Sequence, residues 1–336
     1  MTDVPLDVVL RVADHGSIDS VAAQARAAEE RGFARVSAGE TTGRDMVTTF
    51  AVVGERTDRI GVSTDVLSPY GRAPTVLAQT ALTMHEATGG RFRLGLGTSS
   101  PAIAGGWHGA DFDQPLRRLR EAIDVIREVY AGGRVSYEGE IYDVGGLAYE
   151  GPVPDDPPPI DVAALGPKAV ELAGRFADGW VPQLFTPDGL EERLADLRRG
   201  ADLGDRAADA IRVAPLLRCC ADEDRAVARE KARSTVAFLI GAYGPFYGQS
   251  VAEQGYEDAV EEIRAAWEER DTDAMAAALP DDLLDELAAC GTPSDVRERV
   301  ERFGAIDGVS AVRIGFVDGM SREDERATMA ALEPLL

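Results

Sequence analysis

Residues 160–182 read IDVAALGPKAVELAGRFADGWVP. An apolar run, Ile160–Ala164, passes through Leu165-Gly166 into Pro167, which suits a first helical turn because its φ is preset and its missing N–H is not needed there. Pro167–Phe176 is the helix that follows, and Gly179–Pro182 is a second short apolar run. Two strands joined by a helix run parallel, because an antiparallel return needs only a tight turn. This stretch is therefore one complete strand–helix–strand unit.

Working outward, the same rhythm recurs. Apolar runs at Leu6–Val12, Phe33–Ala38, Arg59–Val66, Phe92–Leu96, Arg212–Cys220 and Val309–Phe316 join the two above as strands. Helices fall between them at Ser17–Arg31, Asp45–Arg56, Pro74–Glu86, Pro115–Tyr130, Pro187–Arg199, Asp222–Ile240 and Pro293–Phe303, with a last one at Arg322–Leu335. In the first, Ser17 caps the helix, Ile18, Val21, Ala22 and Ala25 form its apolar stripe, and Gly32 ends it. Eight strand–helix units predict a parallel α/β sheet closed into a (β/α)8 barrel, one domain over residues 1–336. Two stretches break the rhythm. Residues 132–158 predict a hairpin, Arg134–Tyr137 against Ile141-Tyr142 about Glu138-Gly139, followed by the stiff connector Pro154–Pro159. Residues 241–290 hold Tyr243, Phe246, Tyr247, Tyr256 and Trp267 in an aromatic-poor chain, and predict a helical insertion near the barrel mouth.

The 336 residues carry 59 acids against 35 basic residues, a net charge of −24, and Lys168 and Lys231 are the only lysines. Such a charge repels nucleic acid and anionic lipid, so neither is an expected partner. No apolar run reaches the ~20 residues of a membrane span. The opening MTDVPLDVVL lacks the basic and apolar regions of a signal peptide, which predicts a cytoplasmic protein. The acids interleave with arginine, as in Glu261-Glu262-Ile263-Arg264, which predicts a folded, carboxylate-rich surface. That surface suits a salt-rich, halophilic cytoplasm, where screening shortens self-repulsion; an ordinary acidic soluble protein has the same composition. Cys219, Cys220 and Cys290 offer neither a disulfide framework nor zinc spacing, and are predicted to be buried thiols.

In such barrels the loops after strands carry function. After the third predicted strand comes Ser68-Pro69-Tyr70-Gly71-Arg72-Ala73-Pro74, a proline-held turn from which Arg72 can project. After the fourth comes Gly97-Thr98-Ser99-Ser100-Pro101, whose small residues allow a ligand close to the backbone, and then Trp107-His108-Gly109. His108 has two readings, an acid–base group or a surface imidazole beside a packed tryptophan. His15, after the first strand, also falls on this face, whereas His85 lies late in a helix. After the fifth, Ala164-Leu165-Gly166-Pro167-Lys168 places free N–H groups and a rare lysine at a helix start, an anion site that suits phosphate. After the second, Glu40 is either a base or an acid facing a helix N-terminus. The sequence has no Walker loop, no dinucleotide fingerprint after the first strand, no HExxH and no GxSxG, so triphosphate, Rossmann, metallohydrolase and serine-hydrolase chemistry have no support, and no metal is expected.

These segments together resemble the bacterial-luciferase-like superfamily, in the branch that uses the deazaflavin coenzyme F420, and within it the methylenetetrahydromethanopterin reductases. The resemblance runs from about residue 17 to residue 316. It is carried by Ser68–Pro74, by Thr88-Gly89-Gly90-Arg91-Phe92-Arg93-Leu94-Gly95-Leu96-Gly97-Thr98-Ser99-Ser100-Pro101, by Trp107-His108-Gly109, by Leu165-Gly166-Pro167-Lys168, and by Glu171-Leu172-Ala173-Gly174 with Ala177-Asp178-Gly179-Trp180. It implies a cofactor at the C-terminal mouth, with residues matching Ala164, Leu165, Gly166, Pro167 and Lys168 at its phosphate, Ser99 in the loop beside it, and a bulged non-proline cis peptide at Asp65–Val66 under its ring. It implies hydride transfer to a small substrate, for which a methylene-tetrahydropterin or folate is the expected class. His108 and Glu40 are then the proton-transfer candidates, Trp107, Tyr243 and Tyr247 cap the substrate, and the assembly is a homodimer. A flavin mononucleotide (FMN) monooxygenase of the same fold and a non-catalytic cofactor-binding barrel are the alternatives. The chain has Glu40 where several deazaflavin enzymes have histidine. It has Leu10-Arg11 and Ser99-Ser100 where the reductases have acids, so the resemblance reaches the cofactor further than a methanopterin substrate.

Overall fold

The computed structural model describes residues 4–14 and 16–336; His15 lies outside the described residues. The strands are β1 (Leu6–Val9), β2 (Arg35–Ala38), β3 (Gly61–Thr64), β4 (Phe92–Gly97), β5 (Arg134–Glu138), β6 (Asp143–Ala148), β7 (Ile160–Ala163), β8 (Gly179–Trp180), β9 (Arg212–Val213), β10 (Leu216–Ala221), β11 (Ala288–Gly291) and β12 (Val312–Phe316). Ten of them form one parallel sheet in the order β11-β10-β12-β1-β2-β3-β4-β7-β8-β9. β9 and β10 are halves of one run, divided at Pro215, which has no N–H to give a ladder. Across the break Ala214 N–H donates to Trp180 O (3.0 Å) and Leu216 N–H to Pro182 O (2.9 Å) on one side, while Arg313 N–H donates to Pro215 O (2.8 Å) on the other. The run thus has both neighbours, and the sheet closes as an eight-stranded barrel. β5 and β6 pair antiparallel outside it, with Glu138 opposite Asp143.

The helices are α1 (Ile18–Arg31), α2 (Met46–Glu55), α3 (Pro74–Ala87), α4 (Pro101–Gly106), α5 (Pro115–Tyr130), α6 (Pro167–Phe176), α7 (Pro187–Leu203), α8 (Arg225–Gly241), α9 (Pro245–Val251), α10 (Glu257–Glu268), α11 (Thr272–Ala278), α12 (Asp281–Leu287), α13 (Pro293–Gly304) and α14 (Arg322–Leu332). The loop expected after the fourth strand, through Gly97–Pro101 and Trp107-His108-Gly109, contains α4, in which Ser100 Oγ accepts from Ile103 N–H as the cap and Pro101 opens the helix. The stretch 241–290, expected as helical, ends in β11, which pairs in parallel with β10. Among the described residues no helix is long and apolar enough to cross a membrane.

The apolar core lies between the sheet and the helices, where Phe50, Leu77, Leu94, Ile126, Val162 and Trp180 are fully buried. Inside the barrel the lower layer is charged. Arg93 grips Asp161 with two hydrogen bonds, Nε to Oδ2 at 2.9 Å and Nη2 to Oδ1 at 2.6 Å. Arg212 bonds Asp7 and lies 3.9 Å from Asp161. Arg35 Nη1 donates to Val62 O and Arg91 O. Burial pushes the Asp161 carboxyl up, but Arg93, then Arg212 and Arg35, outweigh it and hold it below the usual carboxylate range. At Asp7 burial wins over the same kind of neighbours, and its pKa is raised.

Two contacts seat the part of the barrel rim that the site uses. Trp180 Nε1 donates to Ala164 O (3.0 Å), fixing the loop after β7. α6 lies against α7 with no side chain between: a Cβ at Gly174 would stand 2.2 Å from Leu197 O, and one at Gly200 would stand 2.0 Å from Glu171 O.

Candidate active site

The C-terminal rim of the barrel encloses a cavity of about 640 Å³. Its floor comes from strand ends, with Gly39 after β2, Asp65 and Val66 after β3, Gly97 at the end of β4, Ala163 at the end of β7, and Arg313 on β12. One wall is the loop from Ala164 to Lys168 with the start of α6. The facing wall is α9, which brings Phe246, Tyr247 and Ser250, with Tyr243 just before it.

The floor is built for close approach. The Asp65–Val66 peptide is cis, at the bond the family resemblance singles out. A Cβ on Gly97 would stand 2.5 Å from Val66 Cγ2, so only glycine leaves the Val66 side chain where it is. Ser99 then takes a φ of 62°, a left-handed value that few side chains adopt, as the chain turns from β4 into α4. Asp65 is held by Arg313 Nη1, and Arg313, itself buried, also donates from Nε to Ala214 O (2.8 Å) and from Nη2 to Pro182 O (3.2 Å). The floor therefore carries an ion pair fixed to the backbone of two neighbouring barrel strands.

The wall at residues 164–168 offers a different chemistry. Gly166 is the N-cap of α6 and supplies no side-chain cap; Pro167 has no N–H and Ala169 N–H turns back on Gly166 O (3.0 Å), which leaves the N–H groups of Gly166 and Lys168 for an outside acceptor. Lys168 is exposed beside them. A helix N-terminus with a neighbouring ammonium takes up an oxyanion without reorganisation. The residues present thus fit a cofactor with a flat ring at one end and a phosphate at the other.

Glu40 lines the cavity, but its carboxylate is already engaged. Arg72 binds it through both nitrogens, Nη2 to Oε2 at 3.0 Å, and Met46 N–H donates to Oε2 (2.9 Å) at the start of α2. The hydrogen bond it donates to Glu40, with the charges of Glu40 and Asp45, holds the Arg72 guanidinium above its ordinary pKa. Arg72, which the sequence shows only as able to project from its proline-held turn, is therefore the clamp on Glu40. Tyr247 is pushed up to about 12 by burial, so its hydroxyl stays protonated at any ordinary pH.

The structure brings together Glu40, Asp65, Val66, Ser99, Ala164, Leu165, Gly166, Pro167, Lys168, Tyr243 and Tyr247 around one cavity. It places Trp107 and His108 outside the cavity lining. Trp107 is 59% exposed at the end of α4. His108 packs its ring over Gly71, where an added Cβ would stand 2.9 Å from His108 Cε1. The reason is α4: folding the loop into a helix carries its last residues to the outside of the rim. Arg313, Gln183, Ser250 and Glu253 also line the cavity and were not singled out by the sequence. Arg313 lies within an apolar run, where nothing marks it as inward. Of the cavity's aromatic residues, Phe246 meets Phe112 (6.2 Å between centroids), which in turn stacks on Tyr70 (5.2 Å). Among the described residues no three His, Cys, Asp or Glu gather as a metal site.

The sequence profile of the luciferase-like monooxygenase family matches residues 7–308. A protein of Mycobacterium tuberculosis named as a coenzyme F420-dependent oxidoreductase is 32% identical over 298 residues, 82% of this chain and 84% of that protein. The 5,10-methylenetetrahydromethanopterin reductase of Methanolobus tindarius is 30% identical over 323 residues, 95% and 94% of the two chains. Among solved structures, the coenzyme F420-dependent tetrahydromethanopterin reductase from Methanopyrus kandleri superposes with a TM-score of 0.82 at 21% identity, covering 98% of this chain and 97% of that one, a likeness of fold.

Proposed function

The chain belongs to the luciferase-like monooxygenase family, and from that premise we propose that it is an oxidoreductase that uses coenzyme F420 to exchange a hydride with a small organic substrate at the barrel mouth. The observation that carries this reading is one cavity with two ends, a glycine-lined floor at Val66 and Gly97 and the uncapped α6 N-terminus with Lys168. Full-length similarity to proteins named for coenzyme F420 supports the choice of cofactor.

When bound, the deazaflavin supplies a carbon that gives or takes two electrons as hydride. The chain's own residues do the rest. Gly166–Lys168 bind the phosphate, and Val66 and Gly97 seat the ring. Asp65, fixed by Arg313, keeps the floor from shifting. Tyr243, Phe246 and Tyr247 cover the substrate and exclude water. The Tyr247 hydroxyl holds a proton as a neutral donor. Glu40, clamped by Arg72, accepts a hydrogen bond from the bound molecules. A methylene-tetrahydropterin or folate leads the substrate screen, and the two-copy assembly implied by the family is checked by light scattering in the same buffer.

The direct test is equilibrium binding of the apoprotein to coenzyme F420 and to FMN side by side. Tight F420 binding and weak FMN binding are expected, with Lys168→Ala weakening F420 about tenfold, the value of one charge-assisted hydrogen bond. The reverse preference would make the chain an FMN enzyme, checked by oxygen consumption. F420 binding without turnover on any substrate would make it a binding barrel. His108→Ala is expected to leave turnover well short of the ~100-fold loss that removing a general acid or base brings, measured as kcat with the substrate that the screen returns.

A further inference from the structure

Around the barrel mouth Arg72 is tied to Glu40 and Asp45, Arg313 to Asp65, and Arg193 to Asp196 and Glu253. Arg218, the third residue of the strand β10, departs from this pattern. Its Nη1 donates to Phe316 O at 3.3 Å, its Nε is buried with no partner, and no carboxylate among the described residues comes within ion-pairing distance, the nearest charges that act on it being those of Asp318 and Asp65.

Its direction follows from strand alternation. Arg212, below it on the same run, points inward to Asp7, and residues two apart share a face. Leu216 and Arg218 accordingly both sit over Gly315, where a Cβ would stand 3.0 Å from Leu216 Cδ1 and 3.3 Å from Arg218 Nη1. Arg218 stands just behind the lining rather than in it: Gly315, over which it lies, is two residues beyond Arg313, which lines the cavity. The charge of Arg218 reaches Tyr243 and Tyr247, both of which line it too. Burial disfavours the guanidinium's charged form. A desolvated cation needs an anion or a set of acceptors, and here burial outweighs the charges of Asp318 and Asp65 while a single carbonyl bonds the guanidinium.

The cofactor's phosphate already has a place two strands away, at Gly166–Lys168. The group that completes Arg218 therefore belongs to the other bound molecule. A guanidinium fork matches a carboxylate through two parallel hydrogen bonds. The surfaces beside it, Tyr243, Phe246 and Tyr247, are aromatic, which fits an apolar or aromatic body. We propose that Arg218 anchors a carboxylate of the substrate, so that the enzyme selects organic acids with an apolar or aromatic body. This rests on the oxidoreductase reading above for the word substrate, but not for the binding event.

The test is calorimetric titration of acetate, hexanoate and benzoate, each against its neutral amide, at one ionic strength, into apoprotein and into F420-loaded protein. Wild type is expected to prefer at least one acid over its amide by about tenfold or more, the weight of a hydrogen bond to a charged group. Arg218→Gln is expected to lose that preference while keeping wild-type melting and F420 affinity. Arg218→Lys keeps part of it, since it retains the charge without the fork. Equal affinities within every pair overturn the proposal. So does a preference that survives Arg218→Gln, or one that disappears instead in Lys168→Ala, which would place the acid at the phosphate wall. If F420 fails to bind at all, the oxidoreductase reading falls, and the apoprotein titrations decide Arg218 by themselves.

Discussion

Replacing Asp161 by alanine is expected to lower the unfolding free energy by about 3–5 kcal/mol, the range for breaking a buried ion pair from one side. Asp161 is 3% exposed and takes both forks of Arg93. Without it, Arg93, Arg212 and Arg35 face each other inside the barrel with Asp7 as their remaining acid. The substitution also opens a pH test. The folded Asp161 carboxyl lies below its unfolded value, so the stability it adds is present above the ordinary carboxylate range and is lost as pH falls through and below it. Asp7 is shifted the other way, so its ionisation with rising pH costs stability. Urea unfolding followed from roughly pH 3 to pH 7 should therefore show a steeper acid limb in wild type than in Asp161→Ala. A loss below about 1 kcal/mol, the ordinary level for a surface change, would mean that water already screens the barrel interior.

Gly97→Val is expected to lower turnover by about 100-fold, the cost of displacing reacting groups by an ångström or so. A Cβ there would stand 2.5 Å from Val66 Cγ2 and 3.7 Å from Ala163 Cβ, so the added branches push Val66 into the ring seat. Gly97 is the last residue of β4 and borders the cavity, so the barrel beneath keeps its ladder and the melting temperature should stay close to wild type. F420 titration of the folded variant separates the two effects. Unchanged affinity and turnover would mean that the ring does not rest on this floor.

Most of the barrel was legible because each strand is a short apolar run bounded by glycine, proline or a cap, and each helix has its stripe. The predicted strand at Phe92–Leu96 and the helix at Pro115–Tyr130 match β4 and α5 almost to the residue. Two elements were not legible. α4 is six residues of Pro, Ala, Ile and Gly, with no room for a periodic stripe, and β11 is Ala-Ala-Cys-Gly, which reads equally as the end of a helix. The phase of the strands was also hidden. A strand buried on both faces has no alternation to show which face is which. Val312–Phe316 reads as a core strand, and only the closed barrel reveals that Arg313 turns inward to Asp65. Lys168 could be singled out because it is rare and follows a Gly-Pro turn. Arg218 could not, because its distinction is a missing partner, and a missing partner is a property of three dimensions.

The pairing of β11 with β10 has a consequence for engineering. The chain leaves the barrel after β10 and returns beside the same strand, with Cys220 opposite Cys290 and Asp222 N–H donating to Gly291 O. The ends of the intervening excursion are thus pinned together by sheet hydrogen bonds, and changing its length alters closure entropy only logarithmically. The segment between α8 and β11 is thus an insertion with fixed ends, joined to the barrel by Val251, Ile263 and Leu284 in the common core and by Gln254, which accepts from Thr186 N–H and donates to Leu184 O, so a graft keeps those residues. Exchanging the aromatic segment around Tyr243–Ser250 for that of another chain of this fold is a route to a new substrate pocket over an unchanged cofactor floor.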